Sequence, residues 1–132
     1  MPTNTAATQA RVYHTDQVHY FAKDFTYADD GSVLTLGVLP AGACILKALS
    51  GVTVHVAFNA GSTNVLDVGT SADDDLYGTD LALGSIAFVP LDEAVSMTVA
   101  ADTTLTATVD LTGTAATAGS GTVIVAYVLP GR

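Results

Sequence analysis

The residues of this sequence best suited to chemistry are the carboxylates of one short stretch, "NVLDVGTSADDDLYGTD", which spans residues 64–80. Carboxylate oxygens are the ligands that Ca²⁺ and other hard cations take in proteins. Adjacent carboxylates also repel one another, so without a cation they should turn apart into water. Five of the thirteen acidic residues of the chain lie in this stretch: Asp67, Asp73, Asp74, Asp75 and Asp80.

The spacing of these carboxylates does not match an EF-hand loop. If Asp73 and Asp75 took the first and third positions, Tyr77 would fill the fifth. Gly84 would then stand where a bidentate Glu is needed. We therefore predict a solvated outer loop, and the alternative is a metal site that uses Asp73, Asp75 and Asp80. Exposed neighbouring carboxylates also lack the contrasting surroundings that separate the pKa values of a catalytic acid and base.

The histidines, the cysteine and the serines form no catalytic or metal-binding motif. His14, His19 and His55 lack the spacing of a zinc site, and we interpret them as strand-surface or interface residues. Cys44 lies in the apolar segment "AGACILKAL", which is typical of a buried strand and an unreactive thiol. There is no nucleophile elbow, P-loop or dinucleotide fingerprint. We predict no catalytic residue and no cofactor, and we expect that the protein is not an enzyme.

The composition limits the classes of partner. The chain has 132 residues, of which 49% are hydrophobic and 13% charged, with four basic residues and a net charge of −9. Phosphate groups require clustered Lys and Arg, so we predict no nucleic-acid partner and no binding to an anionic membrane surface. A single cysteine excludes an intrachain disulfide. The sequence has no apolar run of membrane-spanning length and no Sec-type signal, which predicts use without classical secretion.

Most of the chain shows the alternation of half-buried β-strands. In "VTVHVAF" and "TLTATVDLT" the residues predicted to face inward are Val52, Val54, Val56, Phe58, Leu105, Ala107, Val109 and Leu111. Further strand candidates, separated by turn signals, are "SVLTLGVL", "ACILKAL", "SIAFVPL", "VSMTVA" and "TVIVAYVL". Roughly eight to ten short antiparallel strands predict an all-β fold, either a jelly-roll-like β-sandwich or a barrel. We predict a flexible N-terminal arm at residues 1–10 and a single β-sandwich domain at residues 11–132.

The surface predicted for these strands is unusually neutral. Threonines, rather than Lys and Glu, alternate with the inward residues, and such faces suit close packing against identical copies. Five of the nine aromatic residues lie within residues 13–27, which places them in the core or at a seam between subunits. Exposed aromatic residues would instead fit a β-sandwich module that binds a glycan or a host surface, and that alternative stays open.

The order of three segments resembles small virion proteins of tailed bacteriophages, and among them capsid decoration (cement) proteins. After an aromatic N-terminal region come "LGVLPAGACILKALSGVTVHVAFNAG", "NVLDVGTSADDDLYGTD" and "GTVIVAYVLPGR". The resemblance implies a jelly-roll or related β-sandwich that acts as a trimer and binds the major capsid protein. It implies a place on the capsid surface of the virion after synthesis in the host cytoplasm. A head-fibre base, neck or tail component is the alternative within the virion.

Overall fold

The computed structural model describes residues 17–129, which form two antiparallel β-sheets packed face to face. Two short 3₁₀ helices, Tyr27–Asp29 and Lys47–Leu49, connect strands. The prediction of a β-sandwich with eight to ten strands is confirmed. The nine strands are β1 (His19–Thr26), β2 (Val33–Leu39), β3 (Cys44–Ile45), β4 (Gly51–Val56), β5 (Thr63–Gly69), β6 (Gly78–Ala82), β7 (Phe88–Pro90), β8 (Thr103–Thr112) and β9 (Ser120–Val128).

Each sheet is organised around one long strand late in the chain. The first, which we call the β9 sheet, has the order β1-β9-β4-β7, and β3 pairs with the end of β9. The second, the β8 sheet, has the order β2-β8-β5-β6. None of the helices in residues 17–129 is long and apolar enough to cross a membrane. The predicted arm at residues 1–10 and His14 lie outside the described residues, and the predicted domain 11–132 extends beyond them at both ends.

The core lies between the two sheets and follows the predicted alternation. In β8, Leu105, Ala107 and Val109 are buried, and Leu111 is half-buried against the same cluster. Phe25 and Phe58 stack within the core, with ring centroids 5.5 Å apart. Burying side chains of this size contributes roughly 1.5–3 kcal/mol each, so the packed faces, rather than local strand preference, hold the sheets together.

Three local expectations are wrong, and each has a physical cause. A β-bulge between Val54 and Val56 breaks the alternation, so Val56 is 47% exposed instead of facing the core. The segment "VSMTVA" forms no strand; Thr98 makes a single bridge to Cys44. Cys44 itself is half-buried, because it begins a two-residue strand at the border of the β9 sheet.

Candidate interaction surfaces

The acidic loop that connects β5 to β6 folds back over the outer face of the β8 sheet. Its backbone lies so close to the end of β5 that a Cβ at Gly69 would be 2.2 Å from the carbonyl oxygen of Asp73. The loop covers Thr106, which points outward from β8 yet is only 6% exposed. Between the loop and the sheet is an open groove of about 480 Å³, bordered on the far side by Val33 and Thr108.

The structure brings together two of the three predicted metal ligands. Asp73, Asp74 and Asp75 each place one carboxylate oxygen within 4.8 Å of the others, and this is the one such acidic group within residues 17–129. Asp80 is not a member of it. The Asp80 amide instead donates a hydrogen bond of 2.7 Å to the Asp67 carboxylate, with the Asp80 backbone in the left-handed region at φ 52°. The third carboxylate of the cluster is therefore Asp74, and a metal at Asp73 and Asp75 stays a prediction.

The loop carboxylates influence one another. A hydrogen bond shared with the Asp75 carboxyl raises the pKa of Asp73, and the negative charges of Asp75 and Asp74 act in the same direction. Burial raises the pKa of Asp67, although the hydrogen bond from the Asp80 amide opposes that shift. Nearby negative charges on the loop add to the effect of burial. This part of the surface therefore favours protons or positively charged groups over further negative charge.

The outer face of the β8 sheet is acidic and rich in threonine. Asp67 pairs with Thr108 and Val65 pairs with Asp110, and these residues alternate with the buried ones of β5 and β8. The acidic loop lies on the same side. Six of the twelve acidic residues within residues 17–129 thus lie on or beside this face: Asp67, Asp73, Asp74, Asp75, Asp80 and Asp110.

The outer face of the β9 sheet is different, because it carries few charges and is apolar along its centre. Strand pairing aligns one row of small or apolar residues across four strands: Ala22, Ile124, Gly51 and Pro90. At opposite margins of this face lie Tyr20, which is 70% exposed, and Phe88, which is 44% exposed. Exposed aromatic side chains on a flat sheet with few charges are typical of protein contact surfaces.

One polar array crosses this face, and sequence reasoning did not find it. Thr122 donates a hydrogen bond of 2.7 Å to the Asp24 carboxylate, and the His55 Nε2 lies 3.0 Å from the Thr122 hydroxyl oxygen. Because the single hydroxyl proton points to Asp24, His55 must be the donor to Thr122. In a Ser-His-Asp triad the histidine takes the hydroxyl proton, so this arrangement differs from that one. No sequence signal connects residues up to 98 positions apart on three strands.

The other histidine and the aromatic residues lie in separate places. His19 stacks on Tyr127 at 5.5 Å on the inner side of the β9 sheet, whereas His55 contacts Thr122 on its outer side. The two histidines therefore do not share one cavity. Of the aromatic residues in β1, Phe25 is buried and Tyr20 is exposed, so these residues divide between core and surface.

Comparison with known proteins supplies a fold relationship. No protein-family model matches the chain, and no curated protein matches it significantly. One chain from the structure of the cyanophage Pam1 capsid asymmetric unit is similar, with 23% identity, a TM-score of 0.59, and coverage of 86% of this chain and 84% of that chain. One from the acidic stable capsid structure of Helicobacter pylori bacteriophage KHP30 has 21% identity, a TM-score of 0.61, and coverage of 86% and 88%. The fold is one found in phage capsids.

Proposed function

We propose that this protein is a structural component of a phage virion and acts as a capsid decoration (cement) protein. The observation that carries the proposal is the similarity in fold to chains from capsid structures of two different phages. The similarity extends over 86% of this chain and over 84% and 88% of the other two, so it concerns nearly whole chains. The segment order that resembles decoration proteins supports the finer assignment.

In this role the protein acts by binding alone, without a catalytic centre or a cofactor. A protein that binds the assembled shell and not the dissociated subunits stabilises the shell by mass action, and the gain grows with free concentration relative to Kd. The partner is the major capsid protein, and the place of action is the capsid surface, after synthesis in the host cytoplasm. A trimer multiplies weak contacts, because three linked subunits engage the shell together.

Add-back binding tests this proposal. Heads of the encoding phage are prepared without this protein, mixed with the purified chain, separated from free protein and imaged by cryo-electron microscopy. We expect saturable binding at positions that repeat over the whole shell, with an increase in the temperature at which heads open. A control protein with the same net charge distinguishes specific from electrostatic binding.

Two results would contradict the decoration role. Failure to bind heads, together with localisation of the protein at the neck, tail or fibre base of intact virions, would establish the alternative position. Failure to bind heads together with specific retention on a glycan array would favour the carbohydrate-binding alternative, in which Tyr20 and Phe88 are the candidate platforms.

A further inference from the structure

We propose that the outer face of the β9 sheet is the surface through which two copies of this chain contact each other. The contact joins the same face of both copies and forms a dimer, so the inference goes beyond the proposed function and rests neither on the proposed trimer nor on capsid binding. It names the contact surface and its partner, a second copy of the same chain.

The shape of this face suits a sheet from another copy. In the row formed by Ala22, Ile124, Gly51 and Pro90, only Ile124 has a large side chain, and it is half-buried. The centre of the face is therefore flat, and a second sheet can approach it closely. Tyr20 lies on the strand at one margin, where a neighbouring copy would cover a side chain that is 70% exposed in the isolated chain.

The distribution of charge disfavours the outer face of the β8 sheet as a contact between copies and favours that of the β9 sheet. Two copies that met through their β8 sheets would bring six carboxylates from each copy together, while residues 17–129 contain only two basic residues, Lys23 and Lys47. Lys47 already donates to the Glu93 carbonyl at 2.8 Å. On the β9 face, Asp24 is the one carboxylate among the paired residues, and it accepts a hydrogen bond from the Thr122 hydroxyl. Contact through the β9 sheet therefore keeps most like charges apart.

The area of the face matches a weak, concentration-dependent contact. Its four strands have eight, nine, six and three residues, and at about 3.3 Å per residue and about 4.8 Å between strands they present roughly 400 Å². Two such faces bury roughly 800 Å² in total, which is the size of a transient contact. The contact is weak enough to form and dissociate in free solution. It becomes persistent where many copies are held side by side.

A matched pair of charge substitutions tests the inference. Tyr20→Asp and Thr35→Asp add the same charge at exposed, outward positions on edge strands, the first on the β9 sheet and the second on the β8 sheet. Sedimentation equilibrium over a wide concentration range gives the mass, compared with 13.4 kDa for one chain, and the dissociation constant. We expect Tyr20→Asp to raise the dissociation constant at least about thirtyfold, as for a hot-spot residue. Thr35→Asp should change it less than about threefold.

Phe88→Ser is a second variant, at the opposite margin of the face, and circular dichroism checks that all variants are folded. A wild-type chain that is monomeric at every concentration would overturn the inference. So would an oligomer that both Tyr20→Asp and Phe88→Ser leave intact, or one that Thr35→Asp dissociates equally. Add-back binding to heads separates the two proposals, because a monomer that decorates heads contradicts only this inference. An oligomer that forms through this face but does not bind heads contradicts only the decoration role.

Discussion

Gly69, at the end of β5, is the residue on which the placement of the acidic loop depends. A Cβ at this position would lie 2.2 Å from the Asp73 carbonyl oxygen, which is 1.2 Å closer than an ordinary contact of 3.4 Å. Gly69→Ala must therefore push that carbonyl away by a comparable distance. The same carbonyl accepts hydrogen bonds from the amides of Thr70 at 2.8 Å and Leu76 at 3.3 Å, and a displacement of this size breaks both.

The expected loss of stability follows from these two hydrogen bonds. Each contributes about 1 kcal/mol, so Gly69→Ala should lower the free energy of unfolding by about 2 kcal/mol. For a domain of 132 residues, Tm should fall by roughly 6–10 °C. Gly84→Ala is the matched control, since nothing lies within 4 Å of a Cβ there, and it should be neutral or slightly stabilising. Urea unfolding followed by circular dichroism measures both variants. Equal midpoints for the two would refute the reasoning.

Three further predictions concern charge, metal and core. Burial raises the pKa of Asp67, so its ionised form opposes folding, and the stability linked to this group is lost as pH rises through the raised pKa. Asp67→Asn should therefore unfold at a higher temperature than wild type at neutral pH and match it well below pH 3.8, the ordinary pKa of Asp. Asp110→Asn is the control, and a lower Tm at neutral pH would contradict this. For a solvated loop, Tm should be the same in excess chelator and in excess Ca²⁺, whereas a calcium-dependent rise that Asp73→Asn abolishes would establish a cation site. Leu66→Ala, at a fully buried position, should lower the free energy of unfolding by about 2–5 kcal/mol in denaturant titration, and a wild-type midpoint would show that the two sheets do not pack there as described.

Sequence reasoning predicted those features of the fold that the residues of a single strand determine. Alternation in β8 identified its inward residues, because each of them must leave water whichever strands lie beside it. The threonine-rich outer face was predicted on the same basis. The acidic loop was expected on the surface, since its carboxylates could not all be buried.

What sequence reasoning missed depends on relations between strands. The bulge that exposes Val56 arises from the register between β4 and β9, which the residues of β4 alone do not determine. The array of Asp24, Thr122 and His55 exists because β1 and β4 both pair with β9. The metal alternative was partly misplaced for a similar reason. The backbone at Asp80 turns its amide toward Asp67, so proximity in sequence did not put Asp80 beside Asp73.

The strands at the centre of both sheets, β8 and β9, are also the last two strands of residues 17–129 to be synthesised. Until β9 has left the ribosome, β1 and β3 have no partner in the β9 sheet, and β4 can pair only with β7. Before β8 and β9 emerge, only the β4–β7 and β5–β6 pairs can form, so most of both sheets assembles after most of the polypeptide has been made. Pairing of β1 with β9 across about a hundred residues makes that step slow for a domain of this size. The early strands must stay soluble until their partners are made, and the charges of Lys23 and Asp24 keep the unpaired β1 in solution.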